Sequence, residues 1–112
     1  MSPAEIIAAK HRASKAAARF SDLSASADSR KREEEEERGE LFEKLNAAIE
    51  GKSTPGEIAG LEIDYVFASE KTQIATEAAD IARSAYNAAQ RRAYEARRAF
   101  DRIKYGMPDE DV

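Results

Sequence analysis

A seven-residue apolar repeat runs from Ile58 to Met107, and it leaves few folds open to this chain. With Ile58 as the first a position, the a series is Ile58, Tyr65, Thr72, Ala79, Tyr86, Ala93, Phe100 and Met107, and the d series is Leu61, Ala68, Ala75, Ala82, Ala89, Ala96 and Ile103. Fourteen of these fifteen residues are apolar, and only Thr72 departs. A repeat held that long predicts one helix of about 50 residues in coiled-coil-like packing. Five successive alanines at d predict close helix spacing, near the lower end of the usual range of about 8–10 Å, because a small knob lets the facing backbone approach.

Residues 1–50 carry the same period. Ile6, Ala9, Ala13, Ala16, Phe20, Leu23 and Ala27 follow a/d spacing, and Leu41 and Ala48 return to that phase, broadened by Phe42, Leu45 and Ile49. Asp28 to Arg38 holds no apolar residue, and Arg30, Glu34 and Glu37 fall where core residues belong. Either the helix continues with a solvated stretch or it breaks near Ser24–Ser29; the phase survives the gap, and Glu and Arg are good helix formers, so continuity is the favoured expectation.

Two capping signals mark the helix starts. Ser2-Pro3-Ala4-Glu5 and Thr54-Pro55-Gly56-Glu57 each supply a hydroxyl N-cap, proline at the first helical position and glutamate at the third. The similarity fades after Ile58, so it is one capping solution used twice rather than a duplicated domain. Residues 51–56 form the strong break, with Gly51 suited to the left-handed position after the first helix. Gly106 and Pro108 end the second helix, and residues 107–112 form an acidic tail. The expected organisation is therefore a single helical hairpin over 1–106, with a helix at about 3–50, a turn at 51–56 and a helix at about 57–105.

Folding the segments back on the turn pairs layers whose residue numbers add to about 106. Ile6 then meets the region of Phe100, Phe20 that of Tyr86, and Leu41 that of Tyr65. Glu34 meets Thr72, so both helices are polar at one level.

The apolar stripe of the second helix is wider than one neighbour covers. Ile63, Phe67, Ile74, Ala78, Ile81 and Ala85 lie beside the a/d seam. Such a face needs a second helical neighbour, another copy or a different helical protein. Leu, Ile, Val and Phe together number only 18 of 112 residues, against 23 alanines, so the isolated hairpin buries little and further assembly is expected. Charge is blocked as well. Residues 1–32 carry net +4, residues 33–80 net −10 and residues 81–112 net +2. A second hairpin laid antiparallel matches opposite signs.

Little else carries chemistry. Without cysteine there is no disulfide framework, thiolate nucleophile or cysteine-type zinc site. Gly51-Lys52-Ser53 resembles the end of a phosphate loop, but Asn46 stands where that pattern wants glycine, and a helix precedes it instead of a strand. His11 has no second histidine or carboxylate at helical spacing, and Glu33 to Glu37 point around the helix without a turn to gather oxygens. No catalytic residue, metal ligand or cofactor is expected. The longest apolar run is four residues, too short for a membrane span. The first 32 residues are acid-poor and Ala/Ser/Arg-rich like a presequence, but their capping box and heptad phase assign them to the folded hairpin, and a cytoplasmic or virion setting is expected.

These features predict an all-α protein: an elongated antiparallel helical hairpin with an Ala-rich, coiled-coil-like seam, assembling into a larger helical bundle. Its function is expected to be that of a non-catalytic assembly or protein–protein interaction module, with Ile63, Phe67, Ile74, Ala78, Ile81 and Ala85 as the binding face. One alternative is a nucleic-acid-binding helical protein using Arg91, Arg92, Arg97, Arg98, Arg102 and Lys104; an overall pI near 5.1 weighs against it. A phage scaffolding or virion accessory protein is a further alternative, on architecture alone.

Overall fold

A computed structural model describes residues 2–106; Met107 and the tail through residue 112 lie outside the described residues. Two helices account for nearly all of the described chain. Helix α1 runs Pro3–Glu50, 48 residues without a break, and α2 runs Pro55–Tyr105, 51 residues. The charged stretch from Asp28 to Arg38 stays helical, as its composition of Arg, Lys and Glu favours. The fold is an all-α helical hairpin, and no strand occurs among the described residues.

Both N-termini close as their local sequences dictate. The Glu5 amide donates to Ser2 Oγ at 3.2 Å, and the Glu57 amide donates to Thr54 Oγ1 at 3.3 Å. Each satisfies one of the donors that a helix start leaves without an intrahelical acceptor.

The turn departs from the expected assignment. The left-handed residue is Lys52, with φ 57°, and Gly51 is the last residue before it. The Ser53 amide donates to Ala48 O at 3.0 Å and the Lys52 amide to Ile49 O at 3.4 Å. That bond pair defines a Schellman cap with Lys52 at the left-handed position. Gly51 answers a different need. A Cβ there would lie 3.0 Å from the carbonyl oxygen of Ala47, which already accepts the Gly51 amide at 2.8 Å. At the other end, Gly106 takes φ 61° and terminates α2.

The contacts divide the chain into two compact units. Among the described residues, a terminal unit joins residues 2–24 with 82–106, and a turn unit comprises Ala25–Ile81. In the turn unit the buried positions are Ala68, Thr72, Ala75 and Ala79, all at a or d. The Thr72 hydroxyl lies 2.8 Å from Ala68 O in its own helix and 3.1 Å from Glu34 O in α1. A threonine side chain reaches the facing backbone only where the helices pack closely, which the small neighbouring residues permit. The same contact pairs Glu34 with Thr72, as the hairpin register requires. Nearer the turn, the rings of Phe42 and Tyr65 sit 5.8 Å apart in a tilted arrangement. In the terminal unit Ala89 and Ser24 are buried, and Lys10 Nζ lies 3.9 Å from the centre of the Phe100 ring. Ile6, Ile7, Phe100 and Ile103 line one small cleft there, of about 220 Å³, so Ile6 does meet the region of Phe100.

Helix α1 keeps its first d positions, Ala9 and Ala16, half-buried, but from Leu23 onward it does not keep the expected ones. Leu23 is 51% exposed, whereas its neighbour Ser24 is 8% exposed. Arg30 and Glu37, expected at the seam, are exposed, and Lys31 and Arg38 are half-buried in their place. The inward positions therefore step from a to e: Ser24, Lys31, Arg38 and Leu45 lie four residues after Phe20, Ala27, Glu34 and Leu41. An α-helix turns 100° per residue, so a one-residue choice swings the seam to the next side chain. Serine admits a close approach that leucine would block, and lysine and arginine lay aliphatic stems along a seam while their charges reach water. Ile103, a d position of α2, is likewise 47% exposed. Its facing level is Pro3, where α1 begins, so little helix remains to cover it.

Candidate interaction surface

The buried residues are small, and the large apolar residues are half-buried or exposed. No large side chain is fully buried among the described residues. On α2 within the turn unit, Ile63, Phe67, Ile74 and Ile81 are 56, 58, 67 and 71% exposed. They are kept outward by the helix period: Phe67, Ile74 and Ile81 recur every seven residues, two positions after each a residue. Ala78 is exposed on the same helix, whereas Ala85 is half-buried and belongs to the terminal unit. Val66, 54% exposed, joins this surface and was not singled out by the sequence pattern, because it sits beside the stripe at b. Its signal is adjacency to Phe67, which makes the apolar surface two residues wide there.

Phe67 and Ile74 come together with Leu41 and Ala68 in a groove of about 430 Å³. Glu37, Asp64, Glu70 and Lys71 complete its lining, so three carboxylates and one ammonium share it with four apolar residues. The heptad count marked the apolar lining residues of α2, but the set of three carboxylates draws on both helices and follows only from their packing. Ile63, Ala78 and Ile81 lie outside this groove.

The five consecutive glutamates do not behave alike. Glu33, Glu35, Glu36 and Glu37 are exposed, whereas the Glu34 side chain is only 14% exposed. Its Oε1 lies 4.0 Å from Nε of Arg30, and its buried Oε2 has no hydrogen-bond partner. An oxygen left unpaired away from water destabilises the fold.

The basic residues of α2 fall in the terminal unit. Arg91, Arg92 and Arg97 are exposed, while Arg98 and Arg102 are half-buried. The Arg98 guanidinium stands 5.6 Å from the centre of the Tyr94 ring, and Tyr94 itself is 63% exposed. Lys104 is exposed, with Nζ 5.8 Å from the Phe100 ring centre and 5.2 Å from that of Tyr105. His11 is exposed. Among the described residues no group of three His, Asp or Glu side chains is placed to hold a metal ion, and no helix is long and apolar enough to cross a membrane.

No protein-family model, curated protein or solved structure matches this chain.

Proposed function

We propose that the protein is a non-catalytic assembly module that acts by burying the exposed α2 face of its turn unit against another helical surface. One observation carries this reading. Ile63, Val66, Phe67, Ile74 and Ile81 all stand more than half exposed on one stretch of helix, while the seam beneath is closed by alanine. Large apolar side chains left exposed together on one stretch of helix are characteristic of contact sites. A coiled-coil-like bundle of more than two helices would cover it, whether in the cytoplasm or in a virion. Light scattering over a concentration series tests the reading. The parent chain should gain mass with concentration or with a captured partner, and the pair I74E and I81E should abolish that gain, since each charge would have to leave water. Unchanged mass and association in the variant would overturn it.

A second reading rests on charge. Residues 2–24 and 82–106 carry eleven basic and four acidic side chains, net +7, and exposed Arg91, Arg92 and Arg97 accompany the exposed ring of Tyr94. Cations beside an aromatic ring suit phosphates and bases. A mobility shift on DNA or RNA that weakens steeply with salt would favour that reading over protein assembly.

A further inference from the structure

Resting on the assembly reading above, we propose that the occupant of the turn-unit groove is a second copy of this chain, seated through Tyr94 and its flanking arginines.

The groove specifies its guest by shape and sign. Apolar Leu41, Phe67, Ala68 and Ile74 line it together with acidic Glu37, Asp64 and Glu70, and Lys71 is the one cation of the lining. The complement is a protruding apolar group set among cations. The chain carries that complement. Tyr94 is 63% exposed, and Arg91, Arg97 and Arg98 stand three residues before it, three after and four after, which places them around it on the helix surface. Arg91 and Arg97 are themselves exposed, and Arg98 stacks toward the ring at 5.6 Å. Tyrosine and arginine are the side chains that most often dominate protein contacts, since both carry apolar area with a polar edge.

Net charge selects the same pairing. The turn unit carries seven basic and fifteen acidic side chains, net −8, whereas the described residues of the terminal unit carry net +7. Two turn-unit faces laid on each other would oppose carboxylates to carboxylates. A terminal unit laid on a turn unit opposes arginines to carboxylates. The groove and the Tyr94 cluster are different surfaces, so every copy offers one of each.

Charge reversal in trans tests this on the full-length chain. R91E with R97E makes the inserting cluster anionic, and D64K with E70K makes the groove lining cationic. Each variant alone should lose self-association by light scattering at low salt, and Y94A should weaken it about 30-fold, the scale of a central aromatic contact. All the altered residues are exposed, so circular dichroism should show unchanged helix. Mixing the two charge-reversed variants should restore the parent's assembly, because each new cluster then meets a lining of opposite sign. A monomeric parent, either variant assembling as the parent does, or a mixture that stays dissociated overturns the proposal. I74E separates this failure from that of the broader reading. If I74E dissociates the parent's assembly but the mixture fails, the face is an interface with another occupant. If I74E assembles normally, the face is not an interface. Loss of nucleic-acid binding without loss of self-association in R91E/R97E would assign the arginines to phosphates and likewise overturn the proposal.

Discussion

Replacing Glu34 with methionine should stabilise the protein, although it removes a charge from a strongly charged segment. The Glu34 side chain is 14% exposed, and Oε2 is buried without a hydrogen-bond partner. An unsatisfied buried polar atom costs about 1–3 kcal/mol, and more when charged. Methionine has nearly the same length and helix propensity and supplies an apolar end that needs no partner. The loss on the other side is small. The contact from Arg30 Nε to Oε1 is 4.0 Å long and the Arg30 side chain is 77% exposed. An exposed i,i+4 pair of this kind contributes only about 0.3–0.5 kcal/mol. The cross-helix bond from the Thr72 hydroxyl survives, because it ends on the Glu34 backbone oxygen. The net expectation is a gain of about 1–3 kcal/mol, or roughly 4 °C in Tm for each kcal/mol in a chain of this size. Thermal melts followed by circular dichroism, at matched protein concentration so that association does not contribute, measure it. An unchanged or lowered Tm with intact helix would refute the reasoning, because it would mean that Oε2 is satisfied in solution. The gain would carry a loss of definition, since a buried polar residue at a heptad position helps to specify register.

Thr72→Val keeps the shape of the side chain but removes the hydroxyl; chemical denaturation should show a loss of about 0.5–1.5 kcal/mol, the net worth of one such bond, and no loss would mean that the contact to Glu34 O contributes nothing. At the turn, Lys52→Gly should raise Tm slightly, because the left-handed conformation costs a non-glycine residue about 1–2 kcal/mol, partly offset by the greater freedom of glycine in the unfolded chain. Gly51→Ala should lower Tm instead, and the opposite pair of signs would restore Gly51 to the left-handed position. Ala79→Leu should destabilise by at least the roughly 1–3 kcal/mol of an overpacked contact, and more than Ala82→Leu, because Ala79 is 0% exposed and Ala82 is only half-buried; equal, negligible effects would place both outside the seam. Assembly of the parent should weaken in salt while helix content holds, since the Debye length falls from about 10 Å at 0.1 M to about 3 Å at 1 M, and salt-independent mass by light scattering would remove charge pairing from the account.

The sequence by itself determined the features that depend on near neighbours along the chain. Ser2 and Thr54 cap helices because a hydroxyl three residues before a free amide needs no tertiary help. The alanine repeat from Ala68 to Ala96 determined which side of α2 turns inward, because an apolar stripe of that period has one way to leave water. The level of Glu34 against Thr72 followed from the position of the turn. Tertiary structure decided what depends on the facing surface. Leu23 and Ser24 differ by 100° on the helix, and the heptad count favoured leucine. Close packing admitted serine, because the cost of a bulky side chain between two backbones outweighs the gain from burying it. Lys52, rather than Gly51, takes the left-handed turn, because the cap bonds to Ala48 and Ile49 place that conformation one residue later. The acidic lining shared with Phe67 and Ile74 joins Glu37 of α1 to Asp64 and Glu70 of α2, residues far apart in sequence that only the packing of the two helices brings to one groove.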